Sequence, residues 1–377
     1  MTDPEIGARI GRWRRPRGLS QIALAGLVGR SESWLSQVER GVRGVDSLAV
    51  VRELARVLRV DVDDLAPSGA TGSHRAGPSG AVDIERALFA PRAGESASAV
   101  GVTAAHAAYQ DCRYAEVLAG LPELMTRLAA VEDPRLSAAG WTVVSKMLTK
   151  VGADDLALVA AERARDAARH SGDRADLGMA VYQVVCALLP TGRAEVAELL
   201  ALQTVDDLGD ADDAVRSVSG ALLLIAAVAA ARRNDADAAA DRLGRAQRRA
   251  DALGRDANLQ WSAFGPTNVT LHRVSVAAEL GDAPAALAAA ADLDPMRFVP
   301  ALRSRRTQVG LDVAWAYSCR KHDAEAVLTL LDVERAAPEI LRHNVYARAT
   351  VSTLLGRSRG PAGNHVRALA ERSGITA

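Results

Sequence analysis

Six short polar breaks recur along most of this chain at nearly constant spacing. Cys112-Arg-Tyr-Ala-Glu, Gly152-Ala-Asp-Asp-Leu-Ala, Gly192-Arg-Ala-Glu, Arg233-Asn-Asp-Ala-Asp-Ala, Gly281-Asp-Ala-Pro-Ala and Lys321-His-Asp-Ala-Glu-Ala each separate two apolar runs of helical period. Counted at Arg113, Gly152, Gly192, Asn234, Gly281 and His322, the intervals are 39, 40, 42, 47 and 41 residues. A pair of amphipathic helices buries its apolar face only by stacking on the next pair. The pattern therefore predicts an all-α chain in which residues 82–377 form a curved array of helix pairs with a concave surface. Composition agrees, because 49% of the residues are hydrophobic but only 3% are aromatic, leaving mostly Ala, Leu and Val.

The N-terminal end reads differently. Residues 19–41 predict two short helices joined at a glycine. Ser20 caps the first, Ala23, Leu24 and Leu27 supply its buried stripe, and Gly29 ends it by accepting a left-handed backbone. Ser31 caps the second, whose Leu35 and Val38 face inward while Glu32, Ser33, Ser36, Gln37 and Arg40 share another face. A preceding helix over 5–15 turns Ile6, Ile10 and Trp13 inward and stops at Pro16 and Gly18. A helix over 47–58, with Leu48, Val51, Leu54, Ala55 and Leu58, and a short helical turn at 60–65 complete a small core.

The ordered set Ser20-Gln21, Ala25, Gly29, Leu35-Ser36, Glu39 and Gly41 resembles the helix-turn-helix of the Cro and phage-repressor (XRE) family. The resemblance covers roughly residues 5–66 and implies a five-helix repressor-like DNA-binding domain at 1–66, with its second motif helix in the major groove. By that resemblance Gln21 bonds a backbone phosphate, and Glu32, Ser33 and Gln37 meet base edges, where Gln reads adenine and Glu reads the cytosine amino group. Arg30, Ser31, Trp34, Ser36, Arg40 and Arg43 complete the expected DNA-facing set, and Arg14 and Glu39 occupy positions that pair as an internal ion bridge. Charge gives modest support: residues 1–60 hold 11 Arg against 6 Asp or Glu, in a chain whose net charge is zero.

The helix pairs resemble tetratricopeptide-like repeats with lengthened loops, since the usual period is about 34 residues. Residues 67–81, rich in Gly, Ser and Pro, read as a flexible linker between the two domains. Within the repeats the densest polar cluster is Gln260-Trp261-Ser-Ala-Phe264-Gly-Pro-Thr-Asn268-Val-Thr-Leu-His272-Arg273. Pro266 opens a helix there, and Asn268 and His272 lie four apart on one face. In pheromone receptors that join such repeats to this helix-turn-helix, inner-helix asparagines hold a peptide backbone, so the resemblance implies Asn268 as a ligand contact; His272, Arg273, Trp261, Arg306 and Trp315, from the same cluster or from helices that could line the same concave face, complete the expected ligand-binding set. Trp141, Lys146, Tyr182, Gln183 and Asn344 are further candidates for the same face.

The expected protein is thus a bacterial transcriptional regulator that binds double-stranded operator DNA as a homodimer and answers to a peptide or small-molecule effector. The alternative is a repeat scaffold that brings a protein partner to DNA. Cys112, Cys186 and Cys319 are too scattered for a zinc site and odd in number for a disulfide framework, which fits a reducing cytoplasm. The apolar run 221–231 is too short to span a bilayer, so no membrane partner is expected. No His-Glu-x-x-His, Cys-x-x-Cys or Gly-x-Ser-x-Gly motif is present; the chain reads as neither an enzyme nor a cofactor protein.

Overall fold

The computed structural model describes residues 4–17, 19–28, 30, 32–41, 45, 48–58, 65, 78–89, 95–293, 299–357 and 360–375. Among them every regular element is an α-helix or a short 3-10 turn. The chain divides into two compact units, one made of Met1–Ser73 with Arg348–Ala377 and the other of His74–Ala347.

In the first unit, α1 (Pro4–Arg14), α2 (Gln21–Leu27), α3 (Glu32–Glu39) and α4 (Leu48–Leu58) enclose a core of their own. Ile6, Ile10, Leu35, Val38, Val51, Leu54, Ala55 and Leu58 are all buried in it. The stripe on α2 differs from the expectation: Leu24 and Ala25 are buried, whereas Ala23 is exposed and Leu27 is 56% exposed. A seven-residue helix touching the core on one side has room for two inward neighbours, and positions 24 and 25 take that place. Of the fifth helix at 60–65 only Leu65 is described, and it is buried. The linker at 67–81 lies outside the described residues except for its last four, which begin α5 (Pro78–Phe89). The unit ends with α20 (Gly360–Arg372).

The second unit contains six helix pairs after α5. They are α6 (Ala99–Gln110) with α7 (Tyr114–Leu128), α8 (Pro134–Lys150) with α9 (Asp154–Ser171), α10 (Arg174–Leu188) with α11 (Ala194–Leu208), α12 (Asp213–Arg232) with α13 (Ala236–Leu253), α14 (Pro266–Glu279) with α15 (Ala283–Ala291), and α16 (Arg303–Cys319) with α17 (Asp323–Ala336). The helix α18 (Pro338–His343) follows, and α19 (Val345–Arg357) crosses the boundary between the units.

Each predicted break is the turn inside one pair, and each turns on a residue of positive φ: Cys112, Gly152, Gly192, Asn234, Gly281 and Lys321, all between 61° and 79°. At five of them the following amide reaches back to the carbonyl five residues earlier, as from Arg113 to Ala108 at 2.9 Å and from His322 to Tyr317 at 2.9 Å. This is the left-handed helix stop, which satisfies carbonyls that the helix end would otherwise leave bare. Cys112 and Lys321 adopt it despite carrying side chains.

The first helices of the pairs pack on one another in order, α6 on α8, α8 on α10, and so on to α16, while the second helices cover them outside. The inner row also returns on itself, because α16 meets α6. One member, α12, is 20 residues long and, by length and composition, apolar enough to cross a bilayer, since the run 221–231 extends through Val215 and Val218. Of its most apolar 18-residue stretch 89% is buried inside the fold, as expected of a core helix. Its Gly220 lies against Phe264; a methyl there would approach the ring to 2.0 Å. Gly220→Ala is expected to destabilise the array by about 2 kcal/mol, and a calorimetric Tm equal to that of the wild type would show that the ring has room to turn aside.

Candidate functional site

The N-terminal interface is built from α2 and α3. Ser20 accepts the Ala23 amide at 3.0 Å and fixes the start of α2. Behind α3, Arg14 grips Glu39 with two hydrogen bonds of 2.6 and 2.8 Å and reaches the Leu19 carbonyl at 2.6 Å. The ion bridge implied by the family pattern is therefore present. Its side chains are only 11% and 6% exposed. Burial pushes the Glu39 carboxyl up, but the hydrogen bonds from Arg14 and Gln21 and the Arg14 charge outweigh it, and the net pKa is below the ordinary value. The Glu39 bond raises the Arg14 pKa in turn. The triangle of α1, α2 and α3 is locked by this cluster.

Fixed in that way, α3 presents an outward row. Glu32, Ser33 and Arg40 are exposed, Ser36 and Gln37 are half-buried, and Gln37 donates to Ser33 at 3.4 Å. Arg30 is exposed at the entrance to the helix, and Arg40 folds its Nε onto the Ser36 carbonyl at 3.2 Å. Gln21 sits at the first position of α2 as expected, with its amide nitrogen donating to Glu39 at 2.9 Å, which orients the side chain. Trp34 corrects the expectation. It is 5% exposed and belongs to the core, with the Arg30 guanidinium 5.7 Å above its ring. Its place beside Leu35 and one turn before Val38 puts so large an apolar side chain on the inward edge. Ser31 and Arg43 lie outside the described residues.

In the array, the predicted polar cluster forms a loop between α13 and α14 and the first turns of α14. Gln260, Trp261 and Ala263 all have φ between 50° and 58°, a left-handed conformation that costs non-glycine residues on the order of 1 kcal/mol or more each. Surrounding contacts impose it. Asn258 and Gln110 exchange two amide hydrogen bonds of 2.9 Å, Trp261 stacks on His106 at 4.6 Å, and Lys146 donates to the Trp261 carbonyl at 3.1 Å. Beside this loop opens a cleft of about 430 Å³ walled by Gln110, Asp256, Asn258 and Pro300.

The expected ligand residues separate into two groups. Asn268 and His272 are buried on the inner helix α14; the Asn268 nitrogen donates to the Ala263 carbonyl at 3.0 Å while its oxygen has no partner. His272 bonds the Asn268 carbonyl at 2.9 Å and also the Arg305 guanidinium. Burial, with the Arg305 charge added, holds its pKa well below the usual histidine value. Arg273 and Arg306, by contrast, are exposed, and Arg273 pairs with Gln247 at 3.0 Å. Trp315 packs against an apolar cluster with Leu302 and Val309. Among the other candidates, Trp141 is buried under Arg163 at 4.7 Å, Gln183 is buried against Met179, and Asn344 accepts the Ala347 amide at 3.0 Å. Lys146 and Tyr182 do reach the interior. Lys150, Tyr109 and Asp312, which join them there with Arg305, were not singled out from the sequence. The available signal was the four-residue spacing of two of the chain's three lysines. Among the described residues no group of three His, Cys, Asp or Glu side chains converges as a metal site.

Comparison with known proteins bears on the first unit. A helix-turn-helix domain model matches residues 5–67. An uncharacterized HTH-type transcriptional regulator of Bacillus subtilis (strain 168), YazB, is 39% identical over 61 residues, which are 16% of this chain and 87% of that protein. No solved structure matches the chain. With an apolar core, a buried ion bridge and an outward polar helix at the residues the family pattern requires, the chain belongs through its N-terminal domain to the helix-turn-helix-type transcriptional regulators.

Proposed function

We propose that this DNA-binding regulator reads a two-part operator as a homodimer, in the cytoplasm, and that its helix pairs form a tetratricopeptide-like solenoid that senses a peptide or small molecule. It performs no catalysis on this reading. The observation that carries it is the outward row Glu32, Ser33, Gln37 and Arg40 on a helix whose other side is held by the core and by the Arg14–Glu39 bridge. A rigid helix with outward-facing Gln, Glu and Ser suits base edges in the major groove, and Arg30 and Arg40 suit phosphates. A dimer supplies two such helices one helical turn of DNA apart. Ligand preference for one curvature of the array would alter how the two heads are presented.

Gel-shift titration of the full-length protein tests the reading. The Glu32, Ser33 and Gln37 triple alanine variant is expected to lose on the order of a hundredfold or more in affinity for a cognate operator, since each base contact is worth about 1–3 kcal/mol. Weak, salt-sensitive binding to unrelated DNA should persist. Retention of full operator affinity would overturn the assignment of α3.

A further inference from the structure

Three cations meet inside the helical array without carboxylates to match them. Lys146 and Lys150 lie four residues apart on α8, so both leave the same face. The chain has 43 Arg and only 3 Lys, so a composition that otherwise supplies arginine does not explain two lysines at one place. Lys146 is held by a neutral carbonyl, that of Trp261. Lys150 stands 5.4 Å over the Tyr114 ring and 5.9 Å over the Tyr109 ring. The Tyr114 hydroxyl bonds Ser304 at 2.6 Å, which brings α16 to the same point. Its next residue, Arg305, is the third cation. His272 places its Nδ1 against the Asn268 carbonyl and so carries its proton there, leaving Nε2 to accept from Arg305.

Nearby carboxylates are engaged elsewhere. Glu279 pairs with Arg232 at 3.0 Å. Asp312 accepts a hydrogen bond from Ser275 at 2.7 Å, and burial pushes its pKa up to about 7, so it offers only part of a charge at neutral pH. Among the described residues Lys146, Lys150 and Arg305 make no ion pair, and burial pushes both lysines down to about 8. Yet none of these groups is sealed in. Lys146, Lys150, Arg305, Tyr109 and Tyr182 each keep accessible surface, and they stand on four inner helices, α8, α16, α6 and α10, of a row whose ends meet. Burying net positive charge is costly unless an anion offsets it.

We propose that the space between these inner helices binds an organic oxyanion, a carboxylate or phosphate on an unsaturated body, through Lys146, Lys150 and Arg305 beside the rings of Tyr109 and Tyr182. The planar guanidinium gives a two-pronged contact and the lysines give point charges. Burial raises the pKa of both tyrosines, so their hydroxyls stay protonated and able to donate. An oxyanion outcompetes the neutral Trp261 carbonyl for Lys146, which frees the strained loop at Gln260, Trp261 and Ala263. The site deepens the sensing reading above and rests on it for its regulatory consequence.

The test is thermal unfolding of the full-length protein at constant ionic strength, with chloride as reference. The probes are 4-hydroxybenzoate, its neutral amide, phenyl phosphate and inorganic phosphate. At least one of the three anions is expected to raise Tm saturably by roughly 5 °C, with no rise from the amide, and Lys146→Met with Lys150→Met should abolish the rise. A rise with 4-hydroxybenzoate alone identifies a carboxylate, and one with the phosphates identifies a phosphate. No rise with any anion, or an equal rise in the double variant, overturns the site. Should the double variant fail to fold, Arg305→Met alone supplies the same comparison. If an anion binds as expected but leaves operator affinity unchanged, the site stands and the sensing reading falls. If no anion binds but another effector alters operator affinity, the reverse holds.

Discussion

Gly7→Ala is expected to unfold the N-terminal DNA-binding domain. A methyl at this position would lie 1.8 Å from the Val38 carbonyl oxygen and 2.6 Å from its carbon. Both are backbone, so no side-chain rotation relieves the contact. Relief requires α1 and α3 to separate by more than about 1 Å, which opens the closely packed layer of Ile6, Ile10 and Leu35. Overpacking of this kind costs about 3 kcal/mol at the upper end of the usual range, while the better helix propensity of alanine returns only about 1 kcal/mol. A core of this size provides roughly 3–5 kcal/mol in total, so the clash decides the outcome. Gly26, in the exposed part of α2, has no neighbour within 4 Å of an added methyl; Gly26→Ala should stabilise by up to about 1 kcal/mol. Hydrogen exchange of the α1 and α3 amides, with operator binding measured in parallel, checks both. Unchanged protection and affinity in Gly7→Ala would contradict the observed helix approach.

The second large effect is expected at the Arg14–Glu39 bridge. Removing either partner leaves an unmatched charge in a nearly closed site, and Arg14→Met or Glu39→Met alone should cost about 3–5 kcal/mol. The double methionine variant should recover most of that loss, because the gain from the bridge is largely consumed by desolvating its two charges. The pKa direction adds a pH dependence. The folded Glu39 pKa lies below its ordinary value, so its contribution is fully present above about pH 4.3 and is lost as pH falls through the folded pKa. Urea unfolding followed by Trp13 and Trp34 fluorescence should therefore show an acid-induced loss of stability that Glu39→Gln lacks. A double variant no better than the single ones would show that the bridge adds net stability rather than mainly geometry.

Much of the local architecture is legible in the sequence. The breaks at Cys112, Gly152, Gly192, Asn234, Gly281 and Lys321 announced themselves because a helix stop is a short-range matter of backbone conformation and capping. Ser20 as a cap and Leu35 and Val38 as core residues follow from the same local rules. Spacing leaves the direction open where a residue stands at the margin of a helix face. Trp34 lies next to the polar row of α3 and reads as either inward or outward from spacing alone, and only the packed core decides. Arg305 and Arg306 differ by about 100° around α16; Arg306 was the expected ligand residue, whereas the structure turns Arg305 inward and leaves Arg306 exposed.

By itself, then, the order of residues determined the helices, their stops, the pairing of neighbours and the helix-turn-helix at the N-terminus. All of these depend on interactions within a few turns of chain. Tertiary structure alone decided that α16 returns to α6, that Lys146, Lys150 and Arg305 share one interior, and that Asn258 and Gln110, 148 residues apart, clasp each other. The physical reason is accumulation: each helix pair adds a small rotation to the one before, and the faces that finally meet depend on the sum of those packing angles rather than on any single stretch of sequence.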